Sequence, residues 1–455
     1  MGEFREPKYL NEDKDVPTQR IRCPIHGFIR YSENERKVID HRLFRRLRFI
    51  RQLALTEFVY PGATHSRFEH SLGVMEVASR AFDSLASRHG ATMESRFADI
   101  PDFADKPLAK ARQGIRLAAL VHDIGHPPFS HAAEDVFKVS LGHEALSVRI
   151  ILSDGIDGLK DLLDGLFWNG CSAMVARIIQ RKLPPQLKIL SDLISGEMDA
   201  DRTDYLLRDS LHCGVDYGRF DYRRMIECLE TWENPAGGLE IAIHRAGIHT
   251  FEALILARYQ MNVQVYYHRL RRIYDHYLRE YLRSLGQGAF NSAEKVLAEN
   301  DITLLSKIFE DHARGKGERN KWAARIVNRN HHRVVHDTGV AARGLEIKKS
   351  LQVFEHLRTI FPGTDFVHDI CERNRPVGIH KLQKPDDPYE KDSIWIEMRV
   401  ISRDRKIRTV GQESQVLSSI PREFQVGRVF ADTTSSSDAM HRAIEEEADR
   451  KWNEL

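Results

Sequence analysis

The sequence predicts a mostly α protein with a smaller α+β C-terminal lobe, on three observations. Apolar residues recur at three- and four-residue spacing through most of the stretch from Val38 to Leu285. That stretch shows no repeated strand-helix alternation and no glycine-rich phosphate loop. After about Gly286 the character changes, because Ser393–Val400 and Ile407–Val410 cluster apolar residues as strands do. The predicted organisation is an N-terminal arm over 1–20, a helical core over 21–290 and an α+β lobe over 291–455.

From about Val38, Leu43, Phe44, Leu47, Ile50 and Leu53 describe an amphipathic helix, made strongly basic by Arg42, Arg45, Arg46 and Arg48. A turn at Pro61-Gly62 precedes a helix over Ser66–Arg88, whose buried stripe uses Phe68, Leu72, Met75, Ala78, Phe82 and Leu85. Gln113–Asp123 is nearly all apolar in its middle and is expected to run through the core, stopping at Gly125 and Pro127-Pro128. Further helices are expected near 143–153, 173–182, 186–195, 199–211 and 221–231. A strand is expected at Leu239–His244 and one long helix over Thr250–Leu285. In the lobe, Leu351–Ile360 and Asp438–Trp452 read as helices.

With 68 Lys plus Arg against 66 Asp plus Glu, the formal charge is +2, too small to imply a general nucleic-acid or membrane binder. The five cysteines are scattered and form no C-x-x-C pair, which argues against a disulfide framework or a cysteine zinc site. The first ten residues carry no apolar leader and no stretch reaches 18 uncharged apolar residues, so a cytoplasmic protein is expected.

The chemistry concentrates in Val121-His122-Asp123-Ile124-Gly125-His126, a His-Asp pair at the end of a buried helix. Imidazole and carboxylate suit a divalent metal, but adjacent helical residues point about 100° apart, so other side chains must complete the shell. His70 and Asp201 are candidates. Fifty-two residues separate His70 from His122, and 78 separate Asp123 from Asp201, which implies ligands on different helices packed together. His126, His131 and His143 are candidates for proton transfer, since histidine titrates in the useful range. His131 and His143 are the preferred pair, with Glu144 as the orienting carboxylate of His143. Arg67 lies three residues before His70, and Arg202 and Tyr205 follow Asp201, so all three can face the same centre.

The ordered set His70, His122-Asp123, Asp201 resembles the H…HD…D signature of the HD-domain phosphohydrolases, and within them the deoxynucleoside triphosphate (dNTP) triphosphohydrolases. The nearest branch couples a sterile-alpha-motif domain to the HD domain, without that extra domain here. The resemblance runs from Pro24-Ile25-His26-Gly27 through Arg46–Leu53, Tyr60–Ala63, Arg67–Gly73, His122–His126 and Pro128–His131 to Asp201–Tyr205 with Arg208-Asp209. It implies an HD-domain helical bundle over 21–290. It also implies a divalent cation (Mn, Mg, Fe or Zn) on His70, His122, Asp123 and Asp201, and hydrolysis of dNTPs to deoxynucleoside and tripolyphosphate. Arg67 and Arg202 would contact phosphates, Gln52 and Leu53 would flank sugar and base, and Tyr205 with Asp209 would recognise the sugar. Tyr266 would stack under the deoxyribose and Arg269 would reach another phosphate. The alternative is an HD-type phosphodiesterase or nuclease acting on a cyclic nucleotide or a nucleic-acid end.

The resemblance further implies a nucleotide effector, read by Asp40 and Arg48 near the N-terminus and by Arg329 and Arg333 in the lobe. Arg22 and Arg45 depart from the pattern there, which leaves a guanine preference unsupported. Arg329 and Arg333 lie in a basic run from Arg314 onward, for which a solvated or effector-phosphate reading is preferred over a single-strand nucleic-acid contact. A homo-oligomer, with a tetramer as one form, is expected because effector sites in such relatives lie between subunits.

Overall fold

The computed structural model describes residues 17–137, 142–286, 288–340, 342–370, 377–379, 399–402, 406–421, 423–434 and 437–455. The molecule is mostly helical with small sheets, and the α+β character is concentrated toward the C-terminus. A hairpin of β1 (Gln19–Cys23) and β2 (Gly27–Tyr31) opens the described chain. Gln19 and Arg20, assigned to the arm, are therefore strand residues.

Three helices carry the centre. In α1 (Arg67–Ala98) the first turn is fixed by a capping box in which Glu69 accepts from the Ser66 N–H at 3.3 Å. α2 (Pro107–Val121) is wholly buried from Leu117 to Val121, as its apolar run requires, and packs along α1. α3 (Gly142–Leu152) packs on α4 (Cys171–Ile179), and α4 and α5 (Lys188–Ser195) pack on α2. α6 (Ala200–Cys213) is started by the Asp199 carboxylate, which accepts from the Arg202 N–H at 2.7 Å, and packs on α1.

Several expected elements differ. The basic helix from Val38 is broken into helices Glu33–Ile39 and Arg42–Arg46 and a 3₁₀ turn Leu47–Phe49. Ser32 caps the first piece and Ile50 at its end is extended, so the apolar spacing survives while the backbone bends. The helix over 221–231 stops at Glu227, and Leu229–Glu233 is β3, paired antiparallel with the expected strand β4 (Leu239–His244). The long helix over 250–285 is two helices, α7 (Ile248–Met261) and α8 (Arg269–Ser284), joined by a π turn at Asn262–Tyr266. The Asn262 side chain donates to the Arg258 carbonyl at 2.9 Å, and the His268 ring accepts from the Leu270 N–H and starts α8 afresh.

Helices α9 (Asp301–Arg314) and α10 (Gly317–Val327) lead to β5 (Arg333–Asp337), α11 (Gly344–Ile360) and β6 (Phe366–Ile370). Strands β7 (Arg399–Ile401) and β8 (Ile407–Thr409) complete a four-stranded sheet in the order β3-β4-β7-β8. Strand β9 (Gly427–Ala431) lies between β5 and β6, and α12 (Asp438–Glu454) closes the chain. Most of the strand expected at Ser393–Val400 lies outside the described residues. Tyr274, Tyr277 and Tyr281 of α8 share one apolar cluster with Phe129, Ile308 and Phe430, so packing runs across residue 290.

Candidate active site

His70 sits in the first turn of α1 and is buried. His122 is the C-cap of α2, the point at which a helix leaves its last carbonyls unpaired, and its Nδ1 lies 2.8 Å from the Ala119 carbonyl. That bond places the Nδ1–H on the carbonyl and leaves Nε2 as a lone pair. Nε2 is buried without a hydrogen-bond partner, 3.4 Å from Asp123 Oδ1 and 3.7 Å from Asp201 Oδ1. His70 Nε2 lies 3.0 Å from Asp201 Oδ1 and 3.7 Å from Asp123 Oδ2. Asp201, in the first turn of α6 and with its side chain 37% exposed, thus approaches both imidazoles from the side of the cluster that α1 and the end of α2 leave open. His70, His122 and Asp123 present ligating atoms within 4.8 Å of one another.

The side chains of the cluster are strongly coupled by charge. Burial opposes ionisation, yet Asp201 and Asp204 push the His70 imidazole up to about 10, and Asp123 and Asp201 raise His122 as well. Burial likewise works against the Asp123 carboxylate, but Arg67 and the two histidines hold it well below the usual range. Two features fit a divalent metal: a donor set of two imidazoles and two carboxylates, and an orphaned buried Nε2.

Asp204, which the sequence alone does not mark as functional, orients the site from behind. Its buried carboxylate accepts from His70 Nδ1 at 2.9 Å, His26 Nε2 at 2.6 Å and Arg208 Nε at 2.8 Å. The bond to Nδ1 leaves His70 Nε2 free to ligate, the carboxylate–histidine–metal arrangement. Asp204 lies three residues beyond Asp201 on one helix face, a spacing that carried the signal.

Beside the metal cluster stands a second group of histidines. His126 is fully buried, and neither of its ring nitrogens has a hydrogen-bond partner. Burial, reinforced by Arg67 and neighbouring histidines, depresses it well below the ordinary histidine range and keeps it neutral. His131 and His143 both bond to Glu134, through Nδ1 at 2.9 and 2.8 Å. Glu134 is thus the carboxylate that orients His143, and the expectation for Glu144 is corrected: Glu144 is exposed on the outer face of α3. His126, His131 and His143 present ring nitrogens within 4.8 Å of one another, but the rings of His126 and His143 stack at 3.9 Å and 18°, which sets their in-plane lone pairs side by side rather than converging. This geometry suits proton transfer or phosphate contact better than a second metal.

The remaining expected residues divide between this centre and other surfaces. Arg67 bridges Asp123 and Ser130 Oγ. Arg202 is folded back on Asp199 at 2.8 Å. Asp209 accepts from the Tyr266 hydroxyl and from His65 Nε2, each at 2.7 Å, and Tyr205 packs edge-on to Tyr266. The π turn between α7 and α8 thus presents Tyr266 to α6. Gln52 and Leu53 are buried near the start of α1, the Gln52 N–H donating to the His65 carbonyl, while Arg269 is exposed at the start of α8. Asp40 is exposed and paired with Arg36, and the Arg48 guanidinium lies 3.5 Å over the Phe68 ring. Arg329 donates to the Phe58 carbonyl at 3.0 Å, and Arg333 pairs with Asp438 at 3.0 Å. The basic run is largely ion-paired within the lobe, since Lys321 meets Asp365, Arg325 meets Asp432 and Arg314 meets Asp311. That pairing weighs against a nucleic-acid stripe.

The HD-domain family pattern matches residues 67–207, and that of the HD-associated region matches 220–351. The chain carries an HD domain followed by its associated region. HD domains bind divalent metals, and the His-Asp cluster lies within this one. The chain is 35% identical over 286 residues to an uncharacterized protein of Methanocaldococcus jannaschii, covering 63% of this chain and 54% of the relative. It is 27% identical over 318 residues to the deoxynucleoside triphosphate triphosphohydrolase SAMHD1 homolog of Dictyostelium discoideum, covering 66% and 55%. The matches thus span about half the length of these curated relatives. A crystal structure of a hypothetical protein from Aquifex aeolicus superposes with a TM-score of 0.72 and 27% identity, covering 94% of this chain and 99% of that one. Among the described residues no helix is long and apolar enough to cross a membrane.

Proposed function

We propose that this HD domain hydrolyses dNTPs at the α-phosphorus, releasing deoxynucleoside and tripolyphosphate. The observation that supports the reading is the buried cluster of His70, His122 and Asp123, with Asp201 3.0 Å from the His70 ring, beside neutral His126 and the Glu134-linked histidines. The chemistry supplied by a bound divalent cation (Mn, Mg, Fe or Zn) is Lewis-acid polarisation of the phosphoryl group and activation of water near neutral pH. Arg67 and Arg202 hold the triphosphate charge, exchanging their carboxylate partners for phosphate oxygens. His126 offers an N–H to a phosphate oxygen. His131, oriented by Glu134, hands a proton to the departing 5′-oxygen, and His143 shares that carboxylate.

Tyr266, hydrogen-bonded to Asp209, and Tyr205, edge-on to Tyr266, form a wall for the sugar, with Gln52 and Leu53 beside the base and Arg269 as a further phosphate contact. Likeness to relatives named deoxynucleoside triphosphate triphosphohydrolases supports the choice of substrate. Asp40, Arg48, Arg329 and Arg333 are proposed to bind a nucleotide effector in a homo-oligomer. Incubation with each dNTP and Mn²⁺ or Mg²⁺, followed by anion exchange, is expected to yield tripolyphosphate and deoxynucleoside. Pyrophosphate with monophosphate, or turnover only of oligonucleotides or cyclic nucleotides, overturns the reading in favour of another HD-type phosphohydrolase.

A further inference from the structure

The turn that carries His131 is held in a conformation its residues do not favour. Phe129 and Ser130 have φ of +58° and +54°, two consecutive non-glycine residues in the left-handed region. Each such residue costs of order 1 kcal/mol or more and persists only where its surroundings over-determine it. The surroundings here come from three distant segments. The buried Asp301 carboxylate, at the start of α9, accepts the Phe129 N–H on Oδ1 at 2.7 Å and the Arg51 N–H on Oδ2 at 2.9 Å. Ser130 Oγ donates to the Arg51 carbonyl at 2.7 Å and accepts from Arg67 Nε at 2.7 Å.

A second tie lies one turn away. Buried Arg46 donates through Nη1 to the His126 carbonyl at 2.8 Å, through Nε to Glu299 O at 2.9 Å and through Nη2 to Val296 O at 3.2 Å. Arg46 and Asp301 thus tie the histidine turn to the chain entering α9 and to the segment that leads into Gln52.

We infer that Asp301 is a positioning residue, a clamp from outside the HD domain that fixes the Phe129-Ser130 turn and so aims His131 at the reacting phosphoryl group. Its catalytic consequence rests on the function proposed above; the clamp itself does not. Asp301 touches no substrate in this account and acts only through the turn. An asparagine there has one acceptor oxygen for two N–H groups in different strands of chain, so one of them loses its partner.

The test compares D301N with D311N. Asp311 lies on the same helix and accepts from the Tyr281 hydroxyl at 2.9 Å, so its loss weakens α9 without touching the turn. Amide hydrogen exchange read at Phe129 and Arg51 is expected to speed up by tenfold or more at one of these amides in D301N and at neither in D311N. With a dNTP as substrate, kcat is expected to fall by roughly 10- to 100-fold in D301N while KM moves less than threefold, since misplacement by about 1 Å costs of that order. Bound Mn²⁺ per chain is expected to match the wild type in both variants. Unchanged exchange at both amides in folded D301N overturns the clamp whatever the substrate is. Faster exchange with unchanged kcat overturns its catalytic role, and absence of dNTP turnover in the wild type falls on the function and leaves the exchange result standing. Should D301N fail to fold, D301E, which keeps both oxygens but lengthens the arm, carries the same readouts and the same expected outcomes.

Discussion

His70 illustrates how a ligand is made by what stands behind it. A lone histidine on an apolar helix face reads as a core residue; here Asp204 fixes its proton on Nδ1 and turns Nε2 toward Asp201 and Asp123. Substitution of Asp204 by Asn leaves one acceptor for His26, His70 and Arg208 and removes the carboxylate nearest Arg208, leaving only Glu69 at 3.7 Å. Isothermal titration with Mn²⁺ is expected to show affinity weakened by about 10- to 100-fold, with helical circular dichroism retained. Affinity equal to the wild type would remove the positioning role. The four candidate ligands and the histidines after them could be picked out of the sequence because each is a chemically distinctive residue in an ordered motif. Glu134 was not, because a glutamate nine residues before His143 has no periodic relation to it and is brought there by the turn at residues 129–137.

At the scale of elements, the site depends on how closely α1 and α6 approach. A Cβ on Gly73 would fall 1.9 Å from Asp204 Oδ1 and 2.5 Å from Arg208 Nη2, too close for either to stay. Gly73→Ala is therefore expected to cost about 1–3 kcal/mol, read as a lower midpoint in urea, and to weaken Mn²⁺ binding together with stability. A variant with wild-type stability and affinity would show that the helices are not locked there. Long apolar periodicities located α1, α2 and α6 from the sequence because burial on one face writes itself into spacing. The same spacing hid the break between α7 and α8, since Asn262 and His268 redirect the backbone through local hydrogen bonds while the apolar stripe continues on both sides. The short strand β3 was hidden for a related reason: the stretch Leu229–Glu233 is half-buried and its pairing partner supplies the order.

Across the whole molecule, α8 joins the HD domain to the C-terminal lobe, and His276 lies on it against the edge of Trp322. Burial, with Arg279 next, lowers His276 to about 4, with His332 and Arg283 adding to the shift and Asp369 opposing it. Because the folded state favours the neutral ring, the unfolded chain binds the extra proton first as pH falls below about 6.5. Stability carried by this group is therefore present above pH 6.5 and is lost progressively down to about 4. H276N is expected to flatten the slope of melting temperature against pH across that window; an unchanged slope would show that His276 is not the group responsible.

We propose that His70, His122, Asp123 and Asp201 together hold one divalent cation. Titration of the metal-free protein with Mn²⁺, followed by electron paramagnetic resonance with electron spin-echo detection, tests it most directly. The expected result is one tightly held Mn²⁺ per chain with nitrogen couplings from two imidazoles, one lost in H70A, the other in H122A, and binding abolished in D123A. A chain that binds no Mn²⁺, or binds it with the same couplings after those substitutions, contradicts the account.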